Sequence, residues 1–332
     1  MAEVVLAGVS KSFGQTQAIS DVDLTVPDGS FVVLLGPTGA GKTTTLRLIA
    51  GLEKADAGDI SIGGRRVNRK TPAQRDVAMV FQQYSLYPHL SVRENLAFPL
   101  KSPVLRTPAA DIARKVAEVA EVLHISHKLD NKSTELSGGE MQRVSIGRAL
   151  VRDPAVYLMD EPLSSLDAKL RADLRIELKR IHAEMAATLL YVTHDQIEAM
   201  TMASHVGVLD HGRLVQFGTP REVYESPHTT YVAARLGQPR INLLPAGLFG
   251  EAAPPGAVQI GLRPEHVGIG DGKDAQIVRV EHLGDQTRLH LKFAGYDVVT
   301  LTDPHTSLES GQSIAIAPKN PLFFDADGLR IR

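Results

Sequence analysis

Short apolar runs bounded by turn residues give the chain its first pattern. Such runs are typical of strands that are buried on both faces of a sheet. They are Phe31–Leu35, 77–81 and 155–159, with weaker examples at Leu189–Thr193 and 206–210. Amphipathic helices are predicted between them, one with Thr107 as its N-cap and Pro108 as its first residue, and a long charged one over 167–185. This alternation predicts a mainly parallel α/β sheet.

The pattern changes near residue 237. The segment 237–264 is rich in glycine and proline, and the strands predicted after it alternate polar and apolar residues. These strands are 276–281, Thr287–Phe293, 297–302 and Ser313–Pro318. Short alternating strands joined by glycine and aspartate turns predict a small β-barrel or sandwich. We therefore expect one domain over residues 1–237 and an all-β domain over residues 238–332.

Length and composition narrow the class of protein. A chain of 332 residues is expected to form about two domains. Its 36 Lys and Arg against 38 Asp and Glu give a net charge of −2, which argues against a nucleic-acid binder with a broad basic surface. The absence of cysteine excludes disulfides, a thiolate nucleophile and Cys-ligated zinc. No apolar run approaches the ~20 residues that span a bilayer, and no signal-peptide pattern is visible, so we expect a soluble, intracellular protein.

A phosphate-binding loop is predicted directly after the first apolar run. Residues 36–43 match G-x-x-x-x-G-K-[ST], between a strand pattern and a helix pattern that ends at Gly51. Glycines let the backbone curl so that successive N–H groups face a phosphate, and the helix N-terminus adds positive potential. Lys42 would reach the β- and γ-phosphates, and the Thr43 hydroxyl would ligate Mg²⁺. The candidate residues, called here the Lys42 loop, are Gly36, Pro37, Thr38, Gly39, Ala40, Gly41, Lys42, Thr43 and Thr44.

Two carboxylates follow the run at 155–159. Asp160 ends an apolar strand, so its carboxylate is expected at the carboxyl edge of the sheet, where it can hold Mg²⁺ through water. Glu161 is then placed to polarise a water that attacks the γ-phosphate, and such general-base catalysis contributes about 10²–10⁴-fold in rate. An apolar strand that ends in Asp-Glu is common by itself. Together with the Lys42 loop it predicts a nucleotide-hydrolysis site.

The segment Leu136-Ser137-Gly138-Gly139-Glu140 lies between these motifs. With the Lys42 loop it resembles the ATP-binding cassette (ABC) ATPases, and further matches follow in the family's order: Phe13, Gln82, Ser165-Leu166-Asp167 and His194. The resemblance implies an α/β P-loop NTPase cassette, made of a RecA-like core and a helical subdomain over about residues 84–153. It also implies an ATPase that uses ATP and Mg²⁺.

The resemblance implies a role for each matching position. Phe13 stacks on adenine, and Gln82 contacts the γ-phosphate site and joins Thr43 and Asp160 as metal ligands. The implied catalytic residues are Lys42, Gln82, Glu161 and His194. Two chains enclose two nucleotides, and the implied contacts across the dimer are made by the loop of Ser137, Gly138, Gly139 and Glu140. Asp167 is a further implied cofactor-binding residue. Taken alone, Phe13 also fits a core aromatic, Gln82 a polar strand end, and His194 a capping or surface histidine.

Glu140 departs from the family pattern, because most relatives carry glutamine there. A carboxylate near a triphosphate weakens dimer closure under one hypothesis. Under the other it serves only as a cap acceptor, and the spacing of Ser137 and Glu140 is that of a capping box. The spacing favours the cap.

Residues 80–95 and 193–200 resemble the cytoplasmic ATPases of bacterial importers, and most of all the maltose and glycerol-phosphate branch. In that branch the stretch 84–90 borders a groove for a helix of the membrane subunit, although the same side chains also fit a core. Residues 261–267 resemble the motif of the branch's C-terminal oligonucleotide-binding-like (TOBE) β-domain.

The implied function is that of an ATP-hydrolysing, energy-coupling subunit of an importer for a carbohydrate, polyol or glycerol-phosphate-like solute. The alternatives are an importer ATPase for polyamines, iron or other ions, and a soluble ABC ATPase outside transport. The implied partners are a second, identical or related ATPase subunit, two membrane-spanning permease subunits and, indirectly, a solute-binding protein, with no nucleic acid. The implied location is the cytoplasmic face of the cell membrane.

Overall fold

The computed structural model describes residues 2–102 and 107–331. Their contacts divide the chain into two compact units, the first ending at Pro220 and the second beginning at Arg221. This division precedes the predicted boundary between residues 237 and 238, because Ala233 packs in one cluster with Ile241 and Phe324. The predicted domain limits themselves stay a prediction.

The first unit alternates strands and helices, as the apolar pattern predicts. Its elements are β1 (Val4–Phe13), β2 (Thr16–Val26), β3 (Phe31–Leu35), α1 (Lys42–Ala50), β4 (Ala57–Ile62), β5 (Arg65–Arg66), β6 (Val77–Val80), α2 (Val92–Ala97), α3 (Ala109–Val122), α4 (Gly138–Leu150), β7 (Val156–Asp160), α5 (Ala168–Met185), β8 (Leu189–Thr193), α6 (Gln196–Met202), β9 (His205–Asp210) and β10 (Arg213–Gly218).

The central sheet has the strand order β10-β9-β3-β8-β7-β6. Strands β9, β3, β8, β7 and β6 run parallel, and only β10 is antiparallel to its neighbour. Every residue of β3, β7 and β8 is buried, which explains their uninterrupted apolar sequence. Because parallel strands end at the same edge, Leu35 pairs with Thr193 and Asp160 with Val192 at the carboxyl edge. The loops that follow β3, β7 and β8 therefore start side by side.

A second, antiparallel sheet covers one side of this core in the strand order β2-β1-β4-β5. Helix α1 lies in the same hydrophobic cluster, where Leu46, Leu48 and Ile49 have no exposed surface. Its C-terminus ends at Gly51 with φ 78°, as the glycine predicts. The buried Arg75 donates to the carbonyl oxygens of Leu48 at 2.7 Å and Ile49 at 2.9 Å, so a cation compensates the negative end of the helix.

Helices α2, α3 and α4 lie between β6 and β7, in the stretch expected to be helical. The prediction of Thr107 as N-cap of α3 is wrong by one residue, because the helix begins at Ala109 and Pro108, with ψ 146°, takes the N-cap position. The fully buried Asn95 organises the stretch before α2: its amide donates to the carbonyl oxygens of Tyr87 and Leu90 and accepts from the Tyr87 N–H.

The second unit is mainly β-structure. Its elements, together with the helix that enters it, are α7 (Pro220–Glu225), α8 (Thr230–Arg235), β11 (Asn242–Pro245), β12 (Gln259–Leu262), β13 (Val267–His282), β14 (Thr287–Phe293), β15 (Tyr296–Thr302), β16 (Ser313–Pro318), β17 (Leu322–Phe324) and β18 (Arg330–Ile331). Two antiparallel four-stranded sheets have the orders β11-β12-β17-β18 and β15-β14-β13-β16. Strand β13 is longer than the predicted 276–281 because it continues through a register shift between Ile269 and Lys273.

Arg263, within the motif at 261–267, is a buried structural cation in this unit. Its side chain is 2% exposed and donates to the carbonyl oxygens of Ala233 at 2.9 Å and Tyr224 at 2.8 Å. Its guanidinium lies 3.9 Å from the centre of the Tyr224 ring. The motif thus joins the end of α8 to the β-structure. Within the described part of the chain, no helix is both long and apolar enough to cross a membrane.

Candidate active site

The Lys42 loop connects β3 to α1 and depends on glycine at its closest approaches. Gly41 has φ 99°, and a Cβ there would lie 2.6 Å from the Ala18 carbonyl oxygen and from Ile19 Cδ1. A Cβ at Gly36 would lie 2.7 Å from the Leu209 carbonyl oxygen. Helix α1 begins without a side-chain cap, so the N–H groups of its first turn have no side-chain acceptor of their own. This is the arrangement that the N-terminus of a helix offers to an anion.

Lys42 is folded into this loop. Only 5% of it is exposed, and its ammonium group donates to the carbonyl oxygens of Gly36 at 2.9 Å and Pro37 at 3.0 Å. The same Nζ lies 3.5 Å from Glu161 Oε1. One cation therefore connects the loop after β3 with the carboxylate after β7.

Asp160 and Thr43 form the second contact between these loops. The Thr43 hydroxyl donates to Asp160 Oδ1 at 2.9 Å. Burial raises the pKa of Asp160, although the hydrogen bond from Thr43 opposes the shift. A hydroxyl and a carboxylate side by side suit Mg²⁺, which prefers oxygen ligands and keeps several waters or substrate phosphates in its shell. The described residues contain no group of three or more His, Asp or Glu side chains that would hold a metal alone.

Glu161 lies at the meeting point of three loops. Its Oε2 is 3.0 Å from His194 Nδ1, which follows β8, and its Oε1 faces Lys42. The residue adopts a left-handed conformation with φ 43°, which is uncommon for a side chain of this size and typical of functional sites. Ser164 holds it there, because the Ser164 hydroxyl donates to the Glu161 carbonyl oxygen at 2.9 Å.

The loop Ser137–Glu140, called here the Ser137 loop, begins α4 with a complete capping box. Ser137 Oγ accepts from the Glu140 N–H, while Glu140 Oε2 accepts from the Ser137 N–H at 2.8 Å and from its hydroxyl at 2.9 Å. Glu140 Oε1 also pairs with Lys128 at 3.1 Å. The Ser137 N–H and Lys128 hold the pKa of Glu140 below its usual value. The predicted capping box is therefore present, and whether Glu140 also affects dimer closure stays open.

The remaining predicted residues lie apart from this cluster. No hydrogen bond or ion pair among the described residues joins the Ser137 loop to the Lys42 loop, and Gln82 is exposed beyond the end of β6. Phe13 ends β1 with 46% of its surface exposed and Lys11 Nζ 5.2 Å from the ring centre, so the core-aromatic alternative is wrong. Asp167 caps α5 by accepting from the Leu170 N–H.

Sequence patterns missed three polar residues that shape the site. Lys128 pairs with Glu140, Asn95 fixes the Tyr87 stretch, and Arg171 donates to the loop between Glu161 and α5. The Asn95 contacts and the loop contacts of Arg171 run from side chains to backbone N–H and carbonyl groups, which carry no residue-specific signal. For Arg171 the sequence offers only its place in the long charged helix pattern over 167–185.

Two family models match the chain. The model described as ABC transporter matches residues 19–164, and the model described as TOBE domain matches residues 260–320. The sn-glycerol-3-phosphate import ATP-binding protein of Ruegeria sp. (strain TM1040) is 45% identical over 344 aligned positions, which cover 98% of this chain and 97% of that protein. The chain belongs to the ABC transporter ATP-binding subunits.

Other members of the ABC family are also similar to this chain in sequence or in structure. The protein of the same name from Brucella abortus biovar 1 (strain 9-941) is 49% identical over 307 residues, 87% of each chain. The dimeric structure of a bacterial ABC transporter cassette, 29% identical, superposes with a TM-score of 0.59 over 66% of this chain and 99% of that one. A post-hydrolysis form of that cassette, bound to ADP and Pi, superposes equally well.

These matches confirm several predictions. The fold is the P-loop ABC cassette followed by an all-β TOBE domain, and the chain is an ATP-binding subunit of the importer type, an ATPase. The roles of the individual side chains stay predictions, as do the metal ion, the partners and the solute.

Proposed function

We propose that this chain hydrolyses ATP with Mg²⁺ to drive the import of a glycerol-phosphate-like solute. The observation that carries the proposal is the convergence of Lys42, Glu161, His194 and the Thr43–Asp160 pair at one edge of the sheet. Phosphoryl transfer needs little covalent chemistry from a protein, but it needs placed positive charge and an oriented water. Lys42 supplies the placed charge, and Glu161 with His194 is placed to orient a water.

The proposed reaction uses each group in turn. The loop N–H groups and the Lys42 ammonium bind the triphosphate. Lys42 then donates to phosphate oxygens instead of the carbonyl oxygens of Gly36 and Pro37. Glu161 accepts a proton from the attacking water while the bond between the β,γ-bridging oxygen and the γ-phosphorus breaks. His194, hydrogen-bonded to Glu161, orients the carboxylate and contacts the γ-phosphate. ADP and phosphate are the products, and the proton leaves with the phosphate or to solvent.

Thr43 and Asp160 are the residues that would hold Mg²⁺. Their oxygens lie 2.9 Å apart, and the raised pKa of Asp160 reflects a buried carboxylate that a cation would compensate. When bound, Mg²⁺ neutralises charge on the β- and γ-phosphates. Gln82 is proposed to approach it from the end of β6.

The dimer supplies the rest of the proposed site. Ser137, Gly138 and Gly139 would face the nucleotide of a second chain, and Phe13 would stack on adenine. The superposition with a dimeric cassette supports this arrangement. Among the described residues, no hydrogen bond or ion pair joins the Ser137 loop to the Lys42 loop of its own chain, which is consistent with a role toward a partner.

A groove beside the end of β6 is proposed to receive a helix of the permease subunit. Its cavity of about 240 Å³ is lined by Phe81, Tyr84, Phe98 and Arg148, among others. Phe81 and Phe98 are 39% and 46% exposed, so they lie at the surface rather than in a core. The subunit would thereby sit on the cytoplasmic face of the membrane with two permease subunits.

The first test replaces the proposed base. Glu161→Gln removes the proton acceptor but keeps the size of the side chain, so steady-state phosphate release should fall by at least about 100-fold. An ATP-stabilised dimer should still form, as size-exclusion chromatography with and without ATP would show. Glu184→Gln, an exposed carboxylate on α5, is the control. Robust multiple turnover by Glu161→Gln would contradict the assigned base.

The second test addresses the solute. The chain is purified with its permease subunits and the solute-binding protein and is reconstituted in proteoliposomes. Binding protein loaded with sn-glycerol 3-phosphate should stimulate ATP hydrolysis and solute uptake, whereas maltose, spermidine or Fe³⁺ should not. The relatives named for sn-glycerol-3-phosphate import support this choice. Stimulation by maltose, spermidine or Fe³⁺ instead would reassign the solute.

A further inference from the structure

Arg171 turns back from the first turn of α5 onto the loop that precedes the helix. Its Nε donates to the Leu163 carbonyl oxygen at 3.2 Å, and its Nη2 donates to the carbonyl oxygens of Leu166 at 2.8 Å and Ser164 at 3.5 Å. One guanidinium group therefore holds three of the four carbonyl groups between Leu163 and Leu166. A planar, forked donor set is suited to such multiple acceptors.

The other side of the same guanidinium group faces the loop after β8. Arg171 Nη1 lies 3.7 Å from Asp195 Oδ2. The other carboxylate oxygen of Asp195 accepts from the N–H groups of Ile197 at 2.7 Å and Glu198 at 3.4 Å, and thus caps α6. Because the cap fixes Asp195, Arg171 ties the loop before α5 to a fixed point.

Both loops lead directly to the reacting groups. On one side, Ser164 donates to the carbonyl oxygen of Glu161 through its hydroxyl at 2.9 Å and its N–H at 3.2 Å. On the other side, His194 directly precedes Asp195. Arg171 is thus connected to Glu161 through the 163–166 loop and to His194 through Asp195. These two residues are in contact, since His194 Nδ1 lies 3.0 Å from Glu161 Oε2. Arg171 itself contacts neither Glu161 nor His194.

Helix stability does not explain this placement. A cation in the first turn of a helix opposes the helix dipole, whose positive end lies there. Asp167 already caps α5. The ion pair with Asp195 is about one-quarter exposed, and such pairs stabilise proteins little. The contacts of Arg171 are directed instead at the two loops that carry the proposed chemistry.

We propose that Arg171 is a positioning residue that fixes the distance between Glu161 and His194. It does so by holding the Leu163–Leu166 backbone against Asp195, and this proposal rests on the roles proposed above for Glu161 and His194. The same loop carries Ser165 and leads to Asp167, which the family resemblance implies to be a cofactor-binding residue. Arg171 thereby keeps this loop and the loop of His194 in one arrangement.

The test compares Arg171→Met with Arg171→Lys in the full-length chain. Methionine keeps an unbranched stem but removes every donor, so kcat for ATP hydrolysis should fall by roughly 10- to 100-fold, the cost of misplacing reacting groups by about 1 Å. The KM for ATP should stay within about threefold, because Arg171 does not touch the nucleotide. Lysine retains the charge and one donor group, so it should recover part of the loss. Arg180→Met, on the same helix and paired with Glu177 and Glu184, is the matched control.

Asp195→Asn weakens the ion pair with Arg171 without removing the helix cap, since asparagine is also a good N-cap. Alone it should lower kcat by several-fold, and combined with Arg171→Met it should add little. If Arg171→Met does not fold, Asp195→Asn decides. A kcat within threefold of wild type for the folded variant, full additivity of the two changes, or an equal effect of Arg180→Met would overturn the proposal. If wild type releases no phosphate, the proposed function fails instead.

Discussion

Two helix N-termini in this chain differ in how the N–H groups of their first turn are satisfied. Helix α1 begins after Gly41 in a left-handed conformation with no side-chain cap, and Lys42 lies beside it. Helix α4 begins at Ser137 with a closed capping box and its own carboxylate, Glu140. The first is left open for an anion, whereas the second already carries a negative charge. We therefore expect the Lys42 loop to bind a triphosphate strongly, and the Ser137 loop to approach one only through part of its backbone.

A change in the Lys42 loop at the open N-terminus of α1 should have the largest effect on ATP binding and turnover. In Gly41→Ala the new methyl group would lie 2.6 Å from the Ala18 carbonyl oxygen, so the loop must move. We expect ATP affinity and turnover to fall by about 100-fold or more, since a shift near 1 Å has that cost. Titration with a fluorescent ATP analogue and phosphate-release assays measure both quantities.

Gly64→Ala is the control for backbone strain. Gly64 also has a positive φ, 71°, but a Cβ there meets nothing within 4 Å. Both variants carry the left-handed penalty of roughly 1–2 kcal/mol, and only Gly41→Ala carries the clash. Equal losses of ATP affinity in the two variants would contradict the steric explanation for Gly41.

Removing part of the capping box at the N-terminus of α4 should have an intermediate effect, on the free energy of unfolding. Glu140→Ala removes half of the capping box and should lower the free energy of unfolding by about 1 kcal/mol. Glu140→Gln keeps an acceptor for the Ser137 N–H and loses only the partly exposed pair with Lys128, so ATPase turnover should change by less than about tenfold. Urea unfolding and phosphate release distinguish the two variants. A hundredfold change in turnover in Glu140→Gln, in either direction, would show that the charge acts on the nucleotide.

The smallest expected effect is on acid stability. The folded-state pKa of Glu140 lies below the ordinary value of 4.5, so its contribution to stability is complete above that value. The contribution is lost as the pH falls through the lower, folded-state pKa. Glu140→Gln should therefore lose less stability than wild type between about pH 5 and pH 3. Urea midpoints at the two pH values provide the measurement, and parallel losses in both proteins would exclude a role for this carboxylate.

Much of the cassette could be predicted because its chemistry depends on contiguous motifs. The strands Phe31–Leu35 and Leu189–Thr193 have their predicted bounds, since buried parallel strands require unbroken apolar runs. The Ser137–Glu140 capping box is equally local, and its spacing was sufficient to predict its hydrogen bonds. Helix α5 begins after its predicted first residue, Asp167, which acts as the N-cap.

What the sequence could not predict depends on tertiary contacts or on small local balances. Strand β7 begins at Val156, one residue after the start of the predicted 155–159 run, whereas its last residue, Asp160, is the one predicted to end the strand. Thr107 and Pro108 both fit a helix start, and ψ at Pro108 decided between them. Arg171 acts on backbone carbonyl groups that only the fold brings within reach.

The exposed Phe13 ring has a practical consequence for spectroscopy. The chain contains no tryptophan, so Phe13→Trp would introduce a single indole at the proposed adenine position. Excitation at the red edge of protein absorbance would then report from that point alone, without background from the seven tyrosines. Nucleotide arrival, hydrolysis and release could be followed in real time by intrinsic fluorescence, with no dye attached.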